Sequence, residues 1–147
     1  MKLKVKKIKE NAVLPTRATN GSAGYDLCAC IESDITVHKN EIVKIPTGIS
    51  AEIDTNEAAL MIYPRSGLAS KSGITLANCV GVVDSDYRGE IAVPLINLGN
   101  KDFTVQSGMR IAQLVVTPIF LPDIEETDAL SETSRGSGGF GSTGINT

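Results

Sequence analysis

The apolar residues of this chain arrive in short bursts rich in valine and isoleucine, each interrupted by Gly, Pro, Asn or Asp. Seven runs carry most of them: KLKVKKI (2–8), YDLCACI (25–31), SDITVHK (33–39), EIVKIPTGISAEI (41–53), AALMIYP (58–64), EIAVPLINL (90–98) and RIAQLVVTPIF (110–120). β-Branched residues in runs this short predict strands, and their regular spacing predicts an all-β barrel or sandwich. EAALMIY has a helical composition in isolation, but Pro64 ends it too soon, so it is read as a strand. One short helix is expected, SGLASKS (66–72), between Arg65 and Gly73. No internal repeat is present.

Length allows one domain with a proper core, since the chain has 147 residues of which 41% are hydrophobic. The amino-terminal MKLKVKKIKE alternates lysine with apolar residues, whereas an export signal needs a continuous apolar stretch; none is expected, and no membrane span either. Those lysines read as the solvated face of an edge strand. A nucleic-acid surface is disfavoured, because the net charge is −3 and no aromatics interleave with the lysines. Cys28, Cys30 and Cys79 lack C-x-x-C spacing, and His38 is the one histidine, so a zinc site is a poor alternative to small core residues. Reduced thiols without a signal predict a cytoplasmic protein.

Several residues break the strand pattern. Asp26 sits within AGYDLCA, although aspartate is depleted from strands. Gln113 shares a predicted strand face with Ile111 and Val115, so its amide needs a partner if buried. Asp84 follows the apolar GVV and opens the turn-forming SDYRG. Each is open to a bland reading as a satisfied turn or core hydrogen bond. Arg65 and Ser66 begin the expected helix, where unpaired N–H groups attract anions, or where Ser66 simply caps the end. Arg65, Arg110 and Arg135 add forked donors suited to phosphate. After Pro118, PDIEETDALSETS is acidic and has no core face, so residues 122–147 read as an arm attached to a core of residues 1–121. It ends in RGSGGFGSTG (135–144), which places a cation, hydroxyls and one large ring among glycines. A plain disordered terminus is the alternative.

SAGYDLCA (22–29), PRSGLASKSGI (64–74), NCVGVVDSDYRGEI (78–91), RIAQLVV (110–116) and RGSGGFGSTG (135–144) together resemble the five ordered motifs of the trimeric dUTP pyrophosphatase family. The resemblance spans nearly the whole chain, with Val83 standing where isoleucine is common. It implies a distorted β-barrel or jelly roll with one short helix, and a carboxy-terminal arm exchanged within a homotrimer whose active sites are shared. It also implies Mg²⁺-dependent cleavage of dUTP to dUMP and pyrophosphate, which keeps uracil out of DNA and supplies dUMP for dTMP synthesis.

On this resemblance Asp84 is the general base for the water that attacks the α-phosphorus. Asp26 holds Mg²⁺ through coordinated water. Arg65, Ser66, Gly67 and Gln113 hold the phosphates. The segment 78–92, read as a hairpin, selects the base through Asn78, Gly81, Val83, Ile91 and Ala92, and Tyr87 packs on the deoxyribose. Arg135, Ser142 and Thr143 grip the γ-phosphate, Gly136, Gly138, Gly139 and Gly141 let the backbone approach it, and Phe140 covers the uracil, so that the tail acts as a lid. Asp86 and Arg88 are assigned to the structure of the hairpin. Two rivals remain: a dUTP-sensing regulatory protein, and a dCTP deaminase relative that would call on Glu90.

Overall fold

The structure, a computed structural model, describes residues 1–139. Where Val, Ile and Leu alternate with polar residues the backbone is extended, and successive side chains then face core and solvent in turn. The strands are β1 (Leu3–Lys7), β2 (Tyr25–Cys28), β3 (Ile35–Val37), β4 (Ile42–Pro46), β5 (Ile49–Ile53), β6 (Ala58–Tyr63), β7 (Ile74–Leu76), β8 (Gly81–Val83), β9 (Ala92–Asn97), β10 (Phe103–Val105) and β11 (Arg110–Pro118). A single helix among the described residues, α1 (Ser66–Ser72), lies between β6 and β7.

Pairing is antiparallel throughout and forms four small sheets, β1-β5, β10-β3, β2-β11-β6-β8 and β4-β9-β7. They wrap one core in which Leu27, Ile45, Leu60, Leu95, Ile111 and Leu114 are fully buried. Each such side chain contributes on the order of 2 kcal/mol by leaving water. The fold is thus the expected distorted, all-β one with a short helix.

Four local expectations are corrected. Residues 41–53 are two strands, because the chain bends at Gly48, which has φ +69°, and the two halves then join different sheets. A Cβ on Gly48 would sit 2.6 Å from Cys30 Sγ and 2.8 Å from the Ala12 Cβ, so glycine is needed for space as well as for conformation. Residues 78–92 are no hairpin: β8 pairs with β6, whereas β9 pairs with β4 and β7. Ser66 does not cap α1; Arg65 occupies that position in extended conformation, without a side-chain cap. Gln113 is separated from Ile111 by a register irregularity, with Ile111 and Ala112 both buried.

Beyond β11 the Ile119 N–H still donates to the Glu57 carbonyl at 2.9 Å. Residues 120–137 are then exposed without exception, including Phe120, Ile124 and Leu130. Among the described residues no helix is long and apolar enough to cross a membrane.

Candidate active site

Because β8 and β9 join different sheets, the segment between them crosses a seam, and a recess of about 210 Å³ opens there. Its floor is apolar, from Ile62 of β6 and Leu76 of β7, and its rim carries Asn78, Gly81, Val83, Asp84, Tyr87 and Ala92, with Ile91 beneath. Gly81 keeps it open: a Cβ there would lie 3.1 Å from the Ile62 Cβ. The turn that follows β8 is closed by the Tyr87 N–H donating to the Asp84 carbonyl at 3.1 Å. Arg88 clips it further, donating through Nη1 to the carbonyls of Ser85 (2.8 Å) and Tyr87 (3.0 Å), while its Nε lies 3.5 Å from Glu52. Lys4, hydrogen-bonded to Glu52, holds that carboxyl below its ordinary value. Asp84 itself is exposed, and its carboxylate has no hydrogen-bond or ion-pair partner among the described residues.

A second recess of about 180 Å³ lies where α1 begins, beside β2 and β11. Asp26, Arg65, Ser66, Gly67, Arg110 and Gln113 meet in it. Register explains the meeting, since Asp26 of β2 faces Gln113 of β11, which faces Tyr63 at the end of β6. Asp26 is only 16% exposed and is bracketed by two guanidiniums, Arg65 Nε at 3.0 Å and Arg110 Nη1 at 3.1 Å. Arg65 also donates to the Arg110 carbonyl at 3.2 Å. Gln113 Nε2 donates to the Pro64 carbonyl at 3.0 Å, which satisfies its half-buried amide. The N–H groups of Ser66 and Gly67 have no backbone partner among the described residues and stand free at the helix start. Nearby, burial first and the Asp26 charge second push the Cys28 thiol up.

The predicted site residues therefore fall into two groups rather than one. Arg135 and Gly138 border neither recess; they close a turn, with Arg135 Nε donating to the Gly138 carbonyl at 2.7 Å. Phe140, Gly141, Ser142 and Thr143 lie outside the described residues. Cys28, Cys30 and Cys79 are free thiols, and no group of three metal-ligating side chains occurs among the described residues.

The family model described as dUTPase matches residues 10–144, a span that holds both recesses and the end of the arm. This chain belongs to the dUTPase family. Curated members named deoxyuridine 5'-triphosphate nucleotidohydrolase include one from Treponema denticola, 53% identical and aligned over 95% of this chain and 96% of its own. Another, from Rickettsia prowazekii, is 52% identical over 99% of this chain and 98% of its own. Among solved structures, a Staphylococcus bacteriophage 80alpha dUTPase with dUpNHpp superposes with a TM-score of 0.89 at 25% identity, covering 98% of this chain and 99% of that one. A mutant dUTPase from phage phi11 of S. aureus, whose structure concerns a structural Mg(II) ion, gives a TM-score of 0.79 at 22% identity over 90% of this chain and all of that one, a likeness of fold.

The dUTPase motifs did not disclose every residue that shapes these recesses. Gly24 borders the second one because a Cβ would approach Gln113 Oε1 to 2.5 Å. Gly89 is needed because any side chain there would strike the Tyr87 hydroxyl. Their glycines were visible in SAGYD and YRGE, but the side chains they make room for were not.

Proposed function

We propose that this member of the dUTPase family hydrolyses dUTP to dUMP and pyrophosphate, with Asp84 as the general base. The observation that carries the reading is the contrast between two carboxylates. Asp26 is committed to two arginines, whereas Asp84 stands unpaired among the described residues, on the rim of a recess floored by apolar side chains. A base must be free to accept a proton from water within hydrogen-bond reach. Asp84 meets that requirement and Asp26 does not.

The first recess suits a nucleoside. At about 210 Å³, with an apolar floor and a polar rim, it is of a size for a base and its sugar. Backbone groups near Gly81 and Ala92, with Asn78, would read the uracil edge, Val83 and Ile91 would bound it, and Tyr87 would lie on the deoxyribose and exclude a 2′-hydroxyl. The second recess suits the phosphate chain, since Arg65, Ser66, Gly67 and Gln113 offer forked and linear donors there. Its single carboxylate fits Mg²⁺ that arrives on the phosphates and keeps most of its waters, with Asp26 holding one of them. When bound, the ion would offset negative charge on the phosphate oxygens; the side chains orient the chain and Asp84 takes the proton.

Asp84 and Asp26 of one chain are too far apart to act on the same α-phosphate and its Mg²⁺. Asp84 is level with Ala59 of β6 and Asp26 with Tyr63, three strand spacings away across β2-β11-β6-β8. That separation is roughly 20 Å from strand rise and spacing. A carboxylate holding Mg²⁺ through one water lies within about 5 Å of the ion. This supports a site built from the nucleoside recess of one subunit and the arginine recess of another in a homotrimer. The exposed arm, with Arg135, Phe140, Ser142 and Thr143 near its end, would serve as a lid from a further subunit. Three free thiols support a reducing, cytoplasmic setting, where the product would feed dTMP synthesis. The test is turnover of dUTP, dCTP, dTTP and UTP with and without Mg²⁺. Preference for dUTP with release of pyrophosphate is expected; release of ammonia from dCTP, or tight dUTP binding without turnover, would overturn the proposal.

A further inference from the structure

Tyr87 is 45% exposed, so packing alone does not hold its ring. Its restraint is a hydrogen bond from its hydroxyl to the Glu90 carbonyl, 3.0 Å long. Glu90 is in turn fixed by its other end: one carboxylate oxygen, Oε1, accepts the Gly48 N–H at 2.8 Å, across 42 residues of sequence. Gly48 is buried and held in its left-handed conformation against Cys30 and Ala12, so the donor cannot follow a moving partner. The next residue is clamped to the same turn, with the Ile91 N–H donating to the Ile49 carbonyl at 2.9 Å and the Thr47 hydroxyl donating to the Ile91 carbonyl. A rigid turn between β4 and β5 thus reaches the rim of the nucleoside recess through one side chain.

We infer that Glu90 is a positioning residue for sugar selectivity, locking its own carbonyl to the β4–β5 turn so that the Tyr87 ring stays where a 2′-hydroxyl would need to fit. The inference rests on the reading of Tyr87 as the wall on the deoxyribose. Glu90 borders the nucleoside recess, but its carboxylate is turned to Gly48 and its carbonyl to Tyr87, so the role inferred for it is exercised through Tyr87. With the carboxylate gone, the Glu90–Ile91 peptide is held from the Ile91 side alone, so the Glu90 carbonyl can tilt about that anchor and the exposed ring with it, and space for a ribose opens. An amide at the same place still presents an oxygen to Gly48.

The experiment compares kcat/KM for dUTP with that for UTP, dCTP and dTTP in Glu90→Ala, Glu90→Gln, Tyr87→Phe, Tyr87→Ala and the Glu90→Ala/Tyr87→Phe double variant, with Tm recorded for each. Glu90→Ala and Tyr87→Phe should each lower the preference for dUTP over UTP by about three- to tenfold, the scale of one lost hydrogen bond. The double variant should lose no more than either single, because both break one link. Glu90→Gln should keep the preference to within about twofold, and discrimination against dCTP and dTTP should not move. Equal losses against all three competitors would make Glu90 a general support of the recess and overturn the inference. So would a Tyr87→Ala variant that loses sugar selectivity while Glu90→Ala and Tyr87→Phe keep it, which leaves the role of Tyr87 standing. Unchanged selectivity in Tyr87→Ala would overturn the role of Tyr87 and the inference with it. Should Glu90→Ala fail to fold, Glu90→Met, which keeps the bulk but presents no oxygen to Gly48, decides in the same way.

Discussion

Asp26 and Asp84 are one residue type in two contrasting surroundings, which is the ground for the two roles proposed for them. The first is held between Arg65 and Arg110 and is mostly buried; the second follows an edge strand and is exposed to solvent. Replacing Asp84 with Asn keeps the shape and removes the proton acceptor, so kcat for dUTP should fall by about a hundredfold or more. Affinity for a non-hydrolysable dUTP analogue, read by calorimetry, should survive, and near wild-type turnover would remove Asp84 from its role. Both aspartates were legible as residues out of place in a β pattern. The pairing of Asp26 with Arg110 was not, because those residues are 84 apart in the chain and only the β2–β11 register joins them. Glu90 was weighed only as a deaminase residue, since its partner Gly48 cannot be inferred from YRGEI.

Among the elements, strands rich in Val and Ile were readable, while their ends and partners were not. Residues 41–53 looked continuous because their turn offers a single Thr-Gly pair, and the three-residue strands β7 and β10 are too short to show a period. Sequential strands usually pair, which is why residues 78–92 resembled a hairpin; here β8 was taken by β6 and β9 by β4 and β7. The β4–β5 turn is where an element-scale substitution would tell most. Gly48→Ala forces a left-handed alanine against Cys30 and Ala12, and should cost about 3 kcal/mol from backbone and overpacking together. Denaturant melts at one fixed protein concentration would measure it. A loss under about 0.5 kcal/mol would show that the turn is far softer than its contacts imply.

For the whole molecule, the proposed sharing of sites between subunits can be tested directly. If each site takes its nucleoside recess and its arginine recess from different subunits, mixing Asp84→Asn with Asp26→Asn chains should regenerate activity absent from either parent. Random reassortment in a ring would leave about a quarter of sites with both aspartates intact. Activity no higher than the average of the parents, after mixing is verified by mass, would return both recesses to one chain. The arm points the same way: Phe120, Ile124 and Leu130 are 98%, 99% and 87% exposed, far more apolar surface than a solitary extended segment keeps without a partner to cover it.

On the proposed reading of the first recess as the nucleoside site, the seam beneath it ties fidelity to the interior. Ile62 and Leu76 form its floor, one from each of two sheets that share no strand, and both are buried members of the core. The width of the slot is therefore the thickness of the packing between layers rather than a property of the rim. A methylene gained or lost deep in that packing shifts what the slot admits. Drift in the core and drift in substrate choice then become a single evolutionary variable, and variants selected for heat resistance would carry altered tolerance of bulk on the pyrimidine as a by-product.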